Sequence, residues 1–140
     1  MIGSNEEVRS KAPLDAQAPL SVVVNAKAGR TAVDVAERIR AALAAEGVPA
    51  RVEPSTGRVE HAVRQAVEAS SGTVGVGGGD GTVRAAAQLL AGHHTALAVF
   101  PTGTLNHFSR SLGIETLEDA AQAVAAGRRA TVGVGMVNDL

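Results

Sequence analysis

The sequence predicts a single α/β domain, a Rossmann-like three-layer sandwich with a mostly parallel sheet. Short β-branched segments alternate with helical patterns along the chain. Hydrophobic residues make up 45% of the 140 residues, whereas aromatic residues make up 1%. A core of Ala, Val, Leu and Ile suits helices packed on both faces of a Val-rich sheet. A chain of this length fits one domain with one core.

Strand–helix units follow one another from residue 20 onward. The first strand, LSVVVN, is a continuous β-branched run typical of a strand buried on both faces. The helix after it has Thr31 to cap its start and Gly47 to end it. The predicted strands are 20–25, 50–54, 73–77, 95–100 and 130–135, and the predicted helices are 31–47, 59–69, 81–90, 106–112 and 117–127. Residues 1–19 are polar and predict a flexible tail.

Composition excludes several classes of function. A net charge of −1 argues against a broad nucleic-acid footprint. The absence of cysteine excludes disulfides and thiolate metal sites. No run approaches the roughly 18 apolar residues that a transmembrane helix needs, and residues 1–19 lack the hydrophobic region of a signal peptide. We therefore expect a cytoplasmic protein without a transmembrane segment.

The segment VGVGGGDGTVRAAAQLL (74–90) contains the only long glycine cluster of the chain. A tight turn needs one or two residues with positive φ, and Gly77, Gly78, Gly79 and Gly81 exceed that number. A glycine turn that leads into a helix directs backbone N–H groups and the positive helix end at one point, which is a phosphate site. The P-loop pattern and the G-x-G-x-x-G pattern are both absent, which disfavours a generic dinucleotide site.

Two further loops follow predicted strands, NAKAGR (25–30) and PTGTLNHF (101–108). Ligands of parallel sheets bind at the carboxyl ends of the strands, so we expect these loops and the glycine loop to share one site. Lys27 and Arg30 supply positive charge there. Asp80 can cap the helix that follows it. Capping does not exclude a chemical role, in which Asp80 holds a magnesium ion or accepts a proton from an attacking hydroxyl. The simpler alternative is that the glycines only allow a tight strand-to-helix turn.

VVVNAKAG, VGVGGGDGT and FPTGTLNHFSRSLGI together resemble the nucleotide-binding domain of the diacylglycerol kinase catalytic-domain family, which includes bacterial lipid kinases and sphingosine kinases. The resemblance spans about residues 20–140. NAD kinases and phosphofructokinase relatives have a loop similar to GGDGT, so that loop alone is less specific. PTGTLNHF followed by SRSLGI favours the lipid kinases. The family implies ATP- and Mg²⁺-dependent transfer of a γ-phosphoryl group to a lipid hydroxyl, such as diacylglycerol or a sphingoid base, at a membrane surface. The alternatives are an NAD kinase-like phosphotransferase and a non-catalytic nucleotide-binding fragment, and a homo-oligomer is left open.

The resemblance also implies site residues and departures from the family. Asp80 would be the catalytic carboxylate and a magnesium ligand. The nucleotide contacts would be Asn25, Lys27, Gly29, Thr56, Gly78, Gly79, Gly81, Thr82, Thr102, Gly103, Thr104 and Asn106. Ala26 replaces the usual proline, and Arg84 and Ala85 stand where the family often has Asn and Glu. Family members continue into a mostly β second domain, so the end at MVNDL predicts a truncated form that binds nucleotide weakly and does not phosphorylate lipid by itself.

Overall fold

The computed structural model describes residues 19–25, 30–55, 57–70, 72–103 and 105–130. Strands and helices alternate through these ranges, as the sequence pattern predicts. The elements are β1 (Leu20–Asn25), α1 (Arg30–Ala45), β2 (Ala50–Ser55), α2 (Val59–Ala69), β3 (Thr73–Gly78), α3 (Asp80–Leu90), β4 (Ala96–Pro101), α4 (His107–Ser111) and α5 (Leu117–Ala125).

The four strands in the described ranges form one parallel sheet in the order β2-β1-β3-β4. Val22 of β1 lies opposite Val52 of β2 and Gly75 of β3. On the other side of β3, Gly77 lies opposite Phe100 of β4. Because every pairing is parallel, all four carboxyl ends meet at one edge of the sheet. The predicted fold class is confirmed.

Helices cover both faces of the sheet, and each face has its own apolar cluster. In β1, Val22 and Val24 pack with α1 and α5, whereas Val23 packs with α2 and α3. The same alternation in β4 places Phe100 on the α1 face and Val99 on the α2 face. All of these side chains are buried. Successive side chains of a strand point to opposite faces of the sheet. In a three-layer fold both faces are covered by helices, so every position of the strand can be apolar.

Glycine in β3 makes room for the large side chains of the neighbouring strands and of α1. A Cβ atom on Gly75 would lie 2.8 Å from Cγ2 of Val22 and 3.1 Å from Cε2 of Phe100. A Cβ atom on Gly77 would lie 3.0 Å from Cδ1 of Ile39. Gly77, counted by sequence among the glycines available for phosphate, is therefore a packing position.

The structure confirms most of the predicted boundaries within one or two residues and corrects one cap. Gly47 has a φ of +74° and its N–H donates to the Ala44 carbonyl, so it ends α1 as predicted. The expected N-cap at Thr31 is wrong, because α1 begins at Arg30 and Thr31 is already helical. The predicted strand at 130–135 and tail at 1–19 fall outside the described residues except for Pro19 and Ala130.

Candidate functional site

Three strand ends position the candidate site at the carboxyl edge of the sheet. Nδ2 of Asn25, the last residue of β1, donates a hydrogen bond to Oγ1 of Thr82 in the first turn of α3 at 2.9 Å. The N–H of Thr102, just after β4, donates to the Gly78 carbonyl at 3.3 Å. The predicted convergence of the first and second loops, and of the second and third, is confirmed. Thr104, the residue named for the third loop, lies outside the described residues.

The glycine loop and the third loop approach one another at two glycines. A Cβ atom on Gly103 would lie 2.6 Å from Cα and 3.2 Å from the nitrogen of Gly79. A side chain on Gly103 would therefore collide with main-chain atoms, which have no rotamer to move away. Glycine at Gly103 allows the two loops to touch.

The glycines that follow β3 are not explained by a positive-φ turn. Gly78, Gly79 and Gly81 all lie outside the positive-φ region, and Gly79 has a φ of −86°. A Cβ atom on Gly78 would lie 2.6 to 2.9 Å from the Thr82 side-chain atoms. Gly81 is different, since a Cβ atom there would have no neighbour within 4 Å among the residues that the structure describes, and the residue is exposed. Open space above the first turn of α3 is therefore found at Gly81.

Asp80 is the first residue of α3, and Gly79 is its N-cap. The Asp80 carboxylate makes no cap to its own helix, so that interpretation is wrong. Its Oδ1 accepts from the Phe108 N–H at 3.0 Å, and its Oδ2 accepts from the His107 N–H at 3.1 Å. These donors begin α4, whose first N–H groups have no helical partner. Asp80 therefore caps α4 and ties the glycine loop to the third loop.

These two hydrogen bonds also set the electrostatics of the carboxylate. The Phe108 N–H and then the His107 N–H hold the pKa of Asp80 below its ordinary value, with smaller contributions from the His107 and Arg84 charges. Partial burial of Asp80 acts in the opposite direction and is outweighed. The carboxylate is consequently ionised at neutral pH, and each oxygen keeps a lone pair for a further interaction.

Asn106 closes the third loop on itself. The residue has left-handed backbone angles, with a φ of 53°, and it is the N-cap of α4. Its Oδ1 accepts from the Gly103 N–H at 3.0 Å, and its Nδ2 donates to the Gly103 carbonyl at 2.9 Å. The amide thus holds the Gly103 main chain from both sides. This arrangement leaves the capping of α4 to Asp80.

The structure brings together a majority of the residues that the sequence predicted for the site, and it adds partners that sequence did not predict. The predicted residues found at this edge are Asn25, Gly78, Gly79, Asp80, Gly81, Thr82, Thr102, Gly103 and Asn106. Lys27, Gly29, Thr56 and Thr104 lie outside the described residues. The unpredicted partners are the N–H groups of His107 and Phe108. No sequence signal pointed to them, because the bonds that engage the Asn106 side chain with Gly103 are seen only in the structure.

The described ranges hold neither a dedicated metal cage nor a bilayer-crossing helix. No group of three or more His, Cys, Asp or Glu side chains in those ranges could hold a metal ion. No helix described there is both long and apolar enough to cross a membrane.

Comparison with known proteins identifies the family. The sequence pattern of the family described as "Diacylglycerol kinase catalytic domain" matches residues 19–137. The chain is 36% identical over 109 residues to a Pseudomonas aeruginosa (strain UCBPP-PA14) protein named "Probable lipid kinase YegS-like", covering 73% of this chain and 36% of that protein. A relative of the same name from Enterobacter sp. (strain 638) is 37% identical over 94 residues, covering 64% of this chain and 31% of the relative.

Solved structures that superpose on this chain point to the same family as the sequence relatives. A crystal structure titled as a diacylglycerol kinase from Bacillus anthracis str. Sterne superposes with a TM-score of 0.62 and 27% identity, covering 76% of this chain and 39% of that one. The chain spans about a third of the length of the curated relatives it matches, 31% and 36% of the two above. The match over residues 19–137 and the shared fold show that the chain belongs to the diacylglycerol kinase catalytic-domain family.

Proposed function

We propose that the chain is the nucleotide-binding part of a lipid kinase, which transfers the γ-phosphoryl group of ATP to a lipid hydroxyl at a membrane surface. Diacylglycerol or a sphingoid base is the acceptor class. One observation carries the proposal: the end of β1 and the third loop both contact the glycine loop and the start of α3, around the open first turn of that helix. Ligands of parallel α/β sheets bind at this edge.

The first turn of α3 is the proposed phosphate site. The first helical hydrogen bond of α3 runs from the Val83 N–H to the Gly79 carbonyl, so the N–H groups before Val83 have no acceptor within the helix. These groups and the positive end of the helix favour an anion. Gly81 leaves the approach open.

The residues present fit a magnesium ion that is shared with phosphates. Mg²⁺ in kinases is held by one or two carboxylates together with phosphate oxygens and water, and not by an all-protein cage. Asp80 supplies one ionised carboxylate with a free lone pair on each oxygen. In this proposal Asp80 holds the ion, and the ion when bound neutralises phosphate charge. The lowered pKa makes Asp80 a weak base, which favours the metal role over proton abstraction.

A groove of about 420 Å³ between β2 and α2 is the proposed place of the nucleoside. Ser55, Gly57, Arg58 and His61 are among the residues that line it. Its volume is within the range of small-ligand pockets. In sequence, Ser55 and Gly57 flank Thr56, the threonine that the family resemblance assigns to the nucleotide.

Phosphoryl transfer to competing acceptors tests the proposed reaction. Labelled Mg-ATP is offered with vesicles that contain diacylglycerol or a sphingoid base, and separately with NAD. The protein is used both as the 140-residue chain and as the longest product of its reading frame. We expect Mg-ATP binding by the chain, and transfer to lipid by the full product of the reading frame. Transfer to NAD alone, or no Mg-ATP binding by either form, would overturn the proposal.

Substitution of Gly81 by alanine separates binding from folding. Gly81→Ala adds a methyl group where no atom of the described residues lies within 4 Å, and it replaces glycine in a helical turn. We expect stability to rise by about 0.5 to 1 kcal/mol, because alanine loses less backbone entropy on folding. Affinity for Mg-ATP should fall at least about tenfold, because the methyl group occupies the phosphate approach.

Gln88→Ala is the matched control for Gly81→Ala. Gln88 is exposed near the opposite end of the same helix. Calorimetric titration and urea unfolding of both variants measure the two quantities. Unchanged affinity in a stabilised Gly81→Ala protein would show that the first turn of α3 does not receive the phosphates.

A further inference from the structure

Asn25 and Thr82 form a side-chain contact between two loops that are 57 residues apart in sequence. Nδ2 of Asn25 donates to Oγ1 of Thr82 at 2.9 Å, and both residues are half-buried. Asn25 ends β1, and Thr82 lies in the first turn of α3 where the phosphates are proposed to bind.

Gly78 restricts the Thr82 side chain from its other side. A Cβ atom on Gly78 would lie 2.6 Å from Cβ, 2.7 Å from Cγ2 and 2.9 Å from Oγ1 of Thr82. The threonine side chain therefore lies directly against the main chain of Gly78. With a glycine against it and an amide bonded to its oxygen, the hydroxyl has a defined position and orientation.

The direction of the hydrogen bond determines what the Thr82 hydroxyl can do next. A threonine hydroxyl has one proton to donate and two lone pairs. Because Asn25 donates to it, one lone pair is used and its own proton points elsewhere. Within the described residues the Thr82 hydroxyl makes no second hydrogen bond. Its proton is therefore available for an acceptor, and phosphate oxygens at neutral pH are acceptors.

We propose that Asn25 is a positioning residue, which orients the Thr82 hydroxyl so that its proton is donated to a nucleotide phosphate. The inference rests on the proposed function and deepens it. It differs from the sequence-based expectation, in which Asn25 contacts the nucleotide directly. Asn25 then acts on phosphate affinity only through Thr82.

Reversal of the hydrogen bond is the sharpest test. Asn25→Asp keeps the shape of the side chain but only accepts hydrogen bonds when ionised, so the Thr82 hydroxyl must donate to it and is withdrawn from the phosphate. The new negative charge would also repel phosphate in any background. The change is therefore made in the wild-type chain, in Thr82→Val, which lacks the hydroxyl, and in Thr82→Ser, which keeps it.

The expected result is a coupling between the two positions. Asn25→Asp should weaken Mg-ATP binding about tenfold more in the wild type and in Thr82→Ser than in Thr82→Val, because only the first two have a hydroxyl to redirect. Asn25→Ala should also weaken Mg-ATP binding more in the wild type and in Thr82→Ser than in Thr82→Val, with smaller losses of affinity than Asn25→Asp. Adenosine, which has no phosphate, should bind every variant equally. Calorimetry and chemical-shift titration measure the affinities, and thermal unfolding confirms that each variant is folded.

Two outcomes separate the inference from the proposed function. If the wild-type chain binds Mg-ATP and Asn25→Asp costs the same factor in all three backgrounds, Asn25 acts on the nucleotide directly and the inference is overturned. A change in adenosine affinity on substitution of Asn25 leads to the same conclusion. If the wild-type chain binds no Mg-ATP, the proposed function fails and the inference fails with it.

Discussion

Replacement of Gly103 by alanine should destabilise the fold by about 1 to 3 kcal/mol, the usual cost of forcing an extra carbon into a packed site. The new Cβ would lie 2.6 Å from Cα of Gly79, and also 3.2 Å from Oδ1 of Asn106. The first atom belongs to the main chain, and the second is bonded to the Gly103 N–H. Neither can turn away, so the two loops must separate. Nucleotide binding should fall together with stability, because the third loop would be displaced from α3.

Gly79→Ala is the matched control, since it adds the same carbon to the other side of the same contact. A Cβ atom on Gly79 would lie 3.5 Å from Cα of Gly103, which is an ordinary van der Waals distance. Its φ of −86° is comfortable for any residue. Urea unfolding measures the free energy of unfolding of both variants. The comparison is valid when the dependence of that free energy on urea concentration is the same in both. Equal losses from the two substitutions would contradict the asymmetric contact.

The Asp80→Asn variant should lose the increase in ATP affinity that Mg²⁺ is expected to bring. Phosphoryl transfer by the full product of the reading frame should fall by about 100-fold or more, as when charge stabilisation is removed from an active site. Asparagine keeps one acceptor for the N–H groups of α4, but its NH₂ group would face a second donor. The charge that is proposed to hold the ion is lost entirely. ATP titrations with Mg²⁺ and with a chelator separate the two effects, since without the ion the loss of the carboxylate charge should strengthen ATP binding and not weaken it.

Asp119→Asn provides the control for Asp80→Asn. Oδ2 of Asp119 also accepts two N–H groups at a helix start, from Glu115 at 3.0 Å and Thr116 at 3.2 Å. The Glu115 N–H in particular lowers the pKa of Asp119. The variant makes the same chemical change at α5, outside the cluster of site residues, so ATP affinity should not respond. A Mg²⁺ effect retained by Asp80→Asn would remove Asp80 from the metal assignment.

Acid titration adds a readout for the capping role of Asp80. Its folded pKa is lower than its unfolded value, so its contribution to stability is fully present above about pH 4, the ordinary aspartate pKa. That contribution is lost as the pH falls through the folded pKa. Asp80→Asn should therefore flatten the acid side of the stability curve without changing its shape near neutrality. An unaltered acid side would show that the bonds to α4 contribute nothing to folding.

The sequence by itself determined the architecture and the edge at which the site lies. Apolar runs with β-branched residues and helical periods are local signals, and helix 59–69 was predicted with the boundaries that the structure has. Alternation of strands and helices then implied a parallel sheet, and parallel strands necessarily collect their following loops at one edge. The loops that carry Asn25, Asp80 and Gly103 could for this reason be assigned to one site before any distance was known.

Only the tertiary structure determined which residues of those loops contact one another. Asp80 caps a helix that begins 27 residues later, Asn25 bonds to a threonine 57 residues away, and Gly103 lies against Gly79. Sequence had offered a cap to its own helix as one role for Asp80, and that interpretation was wrong. It did not show that Gly78, Gly79 and Gly81 would all lie outside the positive-φ region. Local propensity is a property of neighbouring residues, whereas these contacts depend on distances between loops that only the packed sheet and helices determine.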